Sequence, residues 1–396
     1  MPKPNIDLRF NRDYASSKQL KQKARQNIPK FAYDHLIEGC MDEIGLKRNR
    51  QVMNSIYFTP QYIQASSSVD TQVTLLGHTY SAPFGIAPIG LQGLMWPNAP
   101  IILAKAAYAH NIPYILSTVS SESLEQIAEA THGQAWYQLY NPTELDIRDD
   151  ILDRLKVMQY KNLVITIDVP TFGFRPRDFH NGLAMPPNLT LKNLYQAAIK
   201  PKWSFNTLKH GLPKFKNLTP YMPVGSQKQE LTELMNTAIM GGLDFDSLKA
   251  IRDNWPGNLI IKGVMSEHDL QQAIKLGCDG VILSNHGARQ LDFSESPIMP
   301  LTQLQNRYQD KITIMIDSGL RSGADIAGSL ALGAQFTFLG RLFMYSVCAL
   351  GNDGGQHAIA MLKAQLIQIM QQVGAENIEA LKGKAFLHHD VNQNRQ

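Results

Sequence analysis

Short apolar, β-branched runs recur along the chain, and most are followed by sequence with the three-to-four-residue apolar spacing of an amphipathic helix. Eight such runs stand out: Pro83–Ala87, Pro113–Leu116, Ala135–Leu139, Leu163–Ile167, Leu259–Lys262, Val281–Leu283, Ile312–Ile316 and Phe336–Leu339. Each has strand length, and alternation of strand with helix is the signature of a parallel sheet. The pattern therefore predicts an α/β fold, a (β/α)8 TIM barrel.

The spacing is compact except between the fourth and fifth runs. An insertion expected at about 179–245 follows a strand's C-terminal end, so it projects over the face where such barrels place their chemistry. Residues 1–80, with Ile28-Pro29-Lys30-Phe31-Ala32-Tyr33-Asp34-His35, predict a helical extension and then a hairpin around Gly77-His78, both packing on the barrel. The barrel is expected to fill 81–385 and to leave 386–396 as a polar tail.

Composition narrows the class. With 396 residues, 44% of them hydrophobic, the chain can bury a large core. Three cysteines, Cys40, Cys278 and Cys348, show no CxxC spacing, so neither a disulfide framework nor a metal site is expected. Polar sequence at Met1-Pro2-Lys3-Pro4-Asn5, and the want of any apolar run of about 18 residues, predict a cytoplasmic chain with no transmembrane span.

Charge placement changes the picture more than net charge does. Between Asp178 and Glu230 there is no acidic residue, but there are seven lysines: Lys192, Lys200, Lys202, Lys209, Lys214, Lys216 and Lys228. Subtracting those seven from the net charge of +4 leaves −3. The same stretch carries Tyr195, Trp203, Phe205, Phe215 and Tyr221, and lysines interleaved with interfacial aromatics suit a membrane surface. A solvated basic loop is the plainer alternative. Nucleic acid is not expected, because the stretch has no arginine to fork phosphates or base edges.

Barrel chemistry sits on the loops after each strand. Collecting polar residues there gives Pro88-Ile89-Gly90, Ser117, Gln138 with Tyr140, Thr166 with Asp168, Lys262, His286 with Arg289, Asp317-Ser318-Gly319-Leu320-Arg321 and Gly340-Arg341. The last two groups pair glycines with arginines where such barrels hold phosphate, which points to a phosphorylated cofactor. Asp168 is placed to orient His286 as a general base, or to cap a helix; Arg289 is placed to bind a carboxylate, or to pair with Asp292. Lys262 follows three apolar residues and needs an anion, either a protein carboxylate or a cofactor that becomes negative in turnover, such as a flavin.

The stretch Ser284-Asn285-His286-Gly287-Ala288-Arg289-Gln290-Leu291-Asp292 resembles the signature of FMN-dependent L-2-hydroxyacid dehydrogenases and oxidases. The resemblance runs from about Pro29 to Leu381. It implies His286 as the proton-abstracting base supported by Asp168, Arg289 and Arg175 on the substrate carboxylate, Tyr140 on the substrate, and Lys262 against the flavin. It also implies FMN contacts at Pro88, Ile89, Gly90, Ser117, Gln138, Thr166, Ser284, Asp317, Gly319, Arg321, Gly340 and Arg341. The stretches Gly90–Pro97 and Arg175–Asn181 look closest to the mandelate dehydrogenase branch, which carries a membrane-binding insertion where this chain has its lysines.

Two departures bear on substrate. The family's substrate-binding tyrosine aligns with His35, with Tyr33 as the alternative if the helix register differs; a tryptophan of glycolate oxidase aligns with Val119, implying a roomier pocket. The expectation is oxidation of a bulky, mandelate-like L-2-hydroxy acid, with lactate also in range, and transfer of electrons to a quinone or electron carrier. The segment 189–216 would hold the enzyme on the inner face of the cell membrane, as a homo-oligomer, a tetramer by resemblance. The rivals are a soluble oxidase that makes hydrogen peroxide and a catalytically silent flavin-binding protein.

Overall fold

The structure is a computed structural model that describes residues 10–63, 68–183, 190–221 and 243–388. Its centre is a sheet of eight parallel strands: β1 (Phe84–Ile86), β2 (Ile115–Ser117), β3 (Trp136–Leu139), β4 (Asn162–Thr166), β5 (Asn258–Val264), β6 (Gly280–Leu283), β7 (Thr313–Ile316) and β8 (Phe336–Leu339). Each neighbours the next in sequence, β8 pairs with β1, and a parallel bridge between Ile86 and Tyr114 joins β1 to β2. The TIM barrel expected from the eight apolar runs is thus present, with strand ends displaced by at most two residues.

Side chains alternate across a strand, so every second residue points into the barrel. One inward layer is apolar: Ile115, Trp136, Val164, Ile260, Ile282 and Met315 pack with Phe336 and Phe338. A hairpin of strands Val73–Leu75 and His78–Tyr80 closes the N-terminal end, where the Trp136 indole N–H donates to the Tyr80 hydroxyl at 3.1 Å. The floor is therefore packed shut, and the C-terminal end alone is left to form a site. Gly85 in β1 marks how tight this packing is, since a Cβ there would lie 2.6 Å from Pro113 and 2.8 Å from Phe338.

The N-terminal extension folds as helices Ser17–Asn27, Lys30–Ile37 and Ile44–Asn54. Ser16 caps the first of them, and Asn27 at its end donates to the carbonyls of Cys348 and Ala349, fastening it to the Arg341–Leu350 helix after β8. Strand Ile56–Phe58 then pairs antiparallel with Ala385–Leu387. Phe386 and Leu387, assigned above to a polar tail, belong instead to this ladder, and Phe386 stacks on Tyr57 with ring centroids 6.1 Å apart. The rest of the expected tail, from 389, lies outside the described residues.

Within the insertion, helices Leu191–Ala198 and Pro201–His210 lie over the barrel mouth. Trp203 is buried against Phe31 and donates to the Leu94 carbonyl at 3.3 Å, and the Gln196 amide oxygen accepts from the Phe31 N–H at 3.0 Å. Asn217 ties the segment down further through the Ser117 and Thr118 carbonyls and the Leu124 N–H. Lys228 and the stretches 184–189 and 222–242 lie outside the described residues. Among the described residues no helix is long and apolar enough to cross a membrane.

Candidate active site

Two residues beyond the apolar layer, the same inward rows end in Ser117, Gln138, Thr166, Lys262, Ser284 and Asp317. A period of two thus converts one packed layer into a polar one at the barrel mouth. Ser117 donates to the Gln138 amide oxygen at 3.0 Å, and Lys262 lies 3.0 Å from the Ser284 hydroxyl and 3.3 Å from the Asp317 carboxylate. Lys262 has therefore found a protein carboxylate. Burial opposes its charge, but Asp317 and Asp168 prevail and raise its pKa.

The loop after β6 carries His286. Its φ is 56°, followed by 65° at Gly287 and 58° at Ala288, a left-handed run that costs about 1 kcal/mol or more per non-glycine residue. Neighbours hold it. The Ala288 carbonyl accepts from the Cys40 N–H at 2.8 Å, the Gly287 N–H donates to the Ser318 hydroxyl at 2.9 Å, and Arg341 donates to the Gly287 carbonyl at 3.0 Å. So aimed, His286 places Nδ1 2.8 Å from the Asp168 carboxylate. Burial alone would raise Asp168, but His286 and Lys262 lower it, so it is ionised and only accepts, and Nδ1 donates to it. Asp168 is thus engaged with His286, not with a helix end.

Arg289 does not pair with Asp292, which accepts from the N–H groups of Asp42 and Gly45 instead. It donates to the carbonyls of His35 and Glu38, at 2.9 and 2.8 Å, at the C-terminal end of the Lys30–Ile37 helix. Those are groups that a helix leaves unpaired and that favour a cation. Arg175 lies across the same cavity with its Nε 2.8 Å from Asp178. His35 also lines the cavity, its Nδ1 2.9 Å from Asp178, whereas Tyr33 packs in the core. Burial pushes the Tyr140 phenol up, so it remains a donor, facing the same space.

Sequence reasoning missed Asp178 and Glu38 as members of this site. Asp178 gathers Arg175 and His35, and these hold its carboxyl well below the usual range although burial opposes them. The buried Glu38 carboxylate accepts from the N–H groups of Arg177 and Asp178, fixing the short helix Pro176–His180; burial raises it to about 7. Asp178 stood inside the quoted Arg175–Asn181 stretch, so its i,i+3 spacing to Arg175 was a usable signal. Glu38 offered none.

Gly319, Arg321, Gly340 and Arg341 form a second end of the cavity, whereas Ser117, Gln138, Thr166 and Ser284 are not in its lining. Arg321 and Arg341 are half-buried there; desolvation, then repulsion from Arg321 and Arg289, lowers Arg341 to about 9. Gly340 caps the Arg341–Leu350 helix without any side-chain acceptor, and Gly319 takes a φ of 91° that suits glycine. Cations in excess beside an uncapped helix start suit a phosphate. At the ring end, Gln138 Nε2 and Thr166 Oγ1 are buried with no partner, as donors to a heteroaromatic edge would be. Pro88, Ile89, Gly90 and Val119 line the wall between, in a cavity of about 1480 Å³. That volume exceeds the several hundred Å³ of an ordinary ligand pocket and has room for a cofactor with its substrate. FMN fits this donor set.

Comparison with known proteins agrees. The pattern of the FMN-dependent dehydrogenase family matches residues 24–388. The chain is 36% identical to an (S)-mandelate dehydrogenase of Pseudomonas putida over 91% of each chain, and 31% identical to an L-lactate dehydrogenase of Vibrio cholerae serotype O1 over 93% of this chain and 97% of that one. A crystal structure of (S)-mandelate dehydrogenase, described as a monotopic membrane protein, superposes with a TM-score of 0.90 at 34% identity, covering 95% of this chain and all of the other.

One close approach yields a prediction. A Cβ at Gly90 would lie 2.7 Å from Val119 Cγ2, and a β-branched side chain has little freedom to withdraw. Gly90→Ala is expected to destabilise the holoenzyme by about 1–3 kcal/mol, and most of that loss should vanish in a Val119→Ala background. Urea unfolding of the four forms measures the coupling; strictly additive effects would show that the two positions do not compete for space.

Proposed function

Because the chain belongs to the family of FMN-dependent dehydrogenases and is an FMN-dependent 2-hydroxyacid dehydrogenase, we propose that it oxidises a bulky, mandelate-like L-2-hydroxy acid. The product is the 2-oxo acid, and the electrons pass to a quinone or other carrier at the inner face of the membrane. The observation that carries this reading is the placement of His286, paired with Asp168, in one cavity with Arg175, Arg289 and Tyr140.

Arg289 and Arg175 bind the substrate carboxylate, and Arg289 is held for that task by the carbonyls of His35 and Glu38. Tyr140 donates to the substrate, and His286 Nε2 takes the proton that leaves it. Asp168 keeps the ring in the required tautomer and stabilises the imidazolium that forms. Bound FMN supplies the two-electron acceptor. Lys262, already balanced by Asp317, keeps a positive charge at the polar ring end. Val119 in the cavity wall supports a bulky substituent at the hydroxyl-bearing carbon.

The membrane reading rests on the outer faces of the insertion helices. Leu191, Leu194, Tyr195 and Ile199 form one exposed stripe, Phe205, Leu208 and Leu212 another, and Leu191 is 85% exposed and Phe205 70%. A soluble surface rarely gathers such apolar side chains. Fewer lysines are free than the sequence suggested: Lys216 pairs with Glu122, Lys200 donates to the Gln26 carbonyl and Lys192 lies beside His180. Among the described residues Lys216 alone of these lysines is ion-paired, and Lys202, Lys209 and Lys214 make none of these contacts.

An anaerobic screen of L-mandelate, L-lactate, glycolate and longer 2-hydroxy acids is expected to bleach the oxidised flavin fastest with the aromatic substrate. A preference for glycolate would overturn the bulky-substrate reading. His286→Gln should keep FMN yet reduce it about 10²–10⁴-fold more slowly, the usual effect of losing a general base; wild-type reduction rates in that variant rule out the base.

Deleting 189–216 would remove Trp203 and part of the cavity wall, so surface substitutions test the membrane role more cleanly. Leu191→Glu/Ile199→Glu/Phe205→Glu should abolish sedimentation with phosphatidylglycerol vesicles and leave flavin reduction unchanged. Wild-type binding should weaken with salt, since each interfacial lysine contributes about 1 kcal/mol. Equal sedimentation of the two proteins refutes the role.

A further inference from the structure

His35 departs from the hydroxyl donor that its relatives' resemblance implies, and its surroundings define what it does instead. Nδ1 lies 2.9 Å from one Asp178 oxygen and 3.1 Å from the other. A carboxylate accepts only, so Nδ1 holds a proton. Nε2 has no hydrogen-bond partner among the described residues, and His35 lines the cavity with a side chain 12% exposed. In a neutral ring this nitrogen presents a lone pair, which repels a carboxylate. In a protonated ring it presents a donor, which binds one.

The position lies where the substrate carboxylate is expected. Asp178 joins His35 to Arg175, and Arg289 donates to the His35 backbone carbonyl, so the charges of both arginines bear on the ring. We propose that His35 is a specificity-determining residue that is neutral in the free site and takes up a proton from solvent when the substrate carboxylate is seated beside Nε2. This rests on the reading of the cavity as a 2-hydroxyacid site.

The balance of charges explains the two states. Burial lowers the pKa of the ring, Asp178 raises it, and Arg289 and Arg175 lower it again. Glu38, at the end of the same helix, carries a carboxyl raised to about 7 by burial. Of the elements packed on the His35 helix, the Gln92–Met95 turn has no ionisable group. The Leu191–Ala198 helix brings Lys192, which lies beside His180, and Tyr195. The Arg341–Leu350 helix brings Tyr345 and Arg341, the latter held on carbonyls. The Ser17–Asn27 helix brings Lys18, Lys21, Lys23 and Arg25. A bound carboxylate offsets the two arginines and adds an acceptor, both of which raise the pKa of His35.

The sign follows by linkage. Binding favours the protonated ring, so affinity is greatest below the free-site pKa and falls as pH rises towards the pKa in the complex. For one proton the slope approaches about tenfold per pH unit between those limits. A tyrosine at this position donates a neutral hydrogen bond and has no such dependence near neutrality.

Calorimetric titration of the oxidised holoenzyme with phenylglyoxylate, in buffers of different ionisation enthalpy from about pH 6 to 8, counts protons taken up per ligand bound. Wild type and His286→Gln should both take up a proton, and His35→Tyr should take up one proton fewer than wild type and show a correspondingly shallower pH profile. Uptake in His35→Tyr equal to wild type, or none in wild type, overturns the proposal while leaving the 2-hydroxyacid reading intact. Failure of the wild-type holoenzyme to bind phenylglyoxylate at any pH, with no flavin bleaching by 2-hydroxy acids, overturns that reading as well.

Discussion

Buried positive charge is the constraint on which this molecule's architecture turns. Lys262 is buried and Arg289, Arg321 and Arg341 are half-buried at one end of an apolar barrel, and Arg175 lines the same cavity. Each such ion carries a desolvation penalty of several kcal/mol unless acceptors are supplied. The chain supplies them from far away. The Lys30–Ile37 helix directs its terminal carbonyls at Arg289 and Arg341, Asp317 meets Lys262, and Asp178 meets Arg175. The N-terminal extension is therefore part of the site and not an ornament to the barrel. Charge left over after these pairings is an affinity for anions, a phosphate at one end and a carboxylate at the other, so the holoenzyme should be more stable than the free protein by mass action.

What the sequence made legible follows from the same layering. Strand runs were visible because period-two and continuous apolar patterns are local, and the polar residues after them were visible because a strand end is where burial stops. The His286–Arg289 loop was legible for that reason too. Its geometry was not, because the left-handed run at His286 is held by Cys40, Ser318 and Arg341, all distant in sequence. Pairings such as His35 with Asp178 or Arg289 with Glu38 depend on the extension's docking, which no local pattern encodes. The lysine-rich segment misled in part for the mirror reason, since Lys216 and Lys200 are spent on partners that lie elsewhere in the chain.

The insertion helices face two ways. Trp203 and Thr207 point inward and wall the cavity, while Leu191 and Phe205 point outward. Leu194 and Leu208 belong to both faces, lining the cavity while being 59% and 84% exposed. An ordinary amphipathic helix would turn polar residues outward. Here an apolar outer face and an apolar inner face share two rigid helices, so whatever surface receives the outer face also sets the position of the cavity wall.

Two imidazole–carboxylate pairs share the cavity, and comparison of them separates geometry from chemistry. His286 with Asp168 and His35 with Asp178 have nearly the same contact, 2.8 and 2.9 Å through Nδ1. Each carboxylate fixes a proton on Nδ1, and both residues line the one cavity. The surroundings differ. Asp168 lies near the ammonium of Lys262, whereas Asp178 is shared with the guanidinium of Arg175, and Arg289 also bears on His35. Cations beside His35 disfavour its protonation. A substrate carboxylate next to His35 and a substrate hydroxyl next to His286 would satisfy both rings at once, which orients the substrate across the cavity with no need for further polar contacts to its side chain.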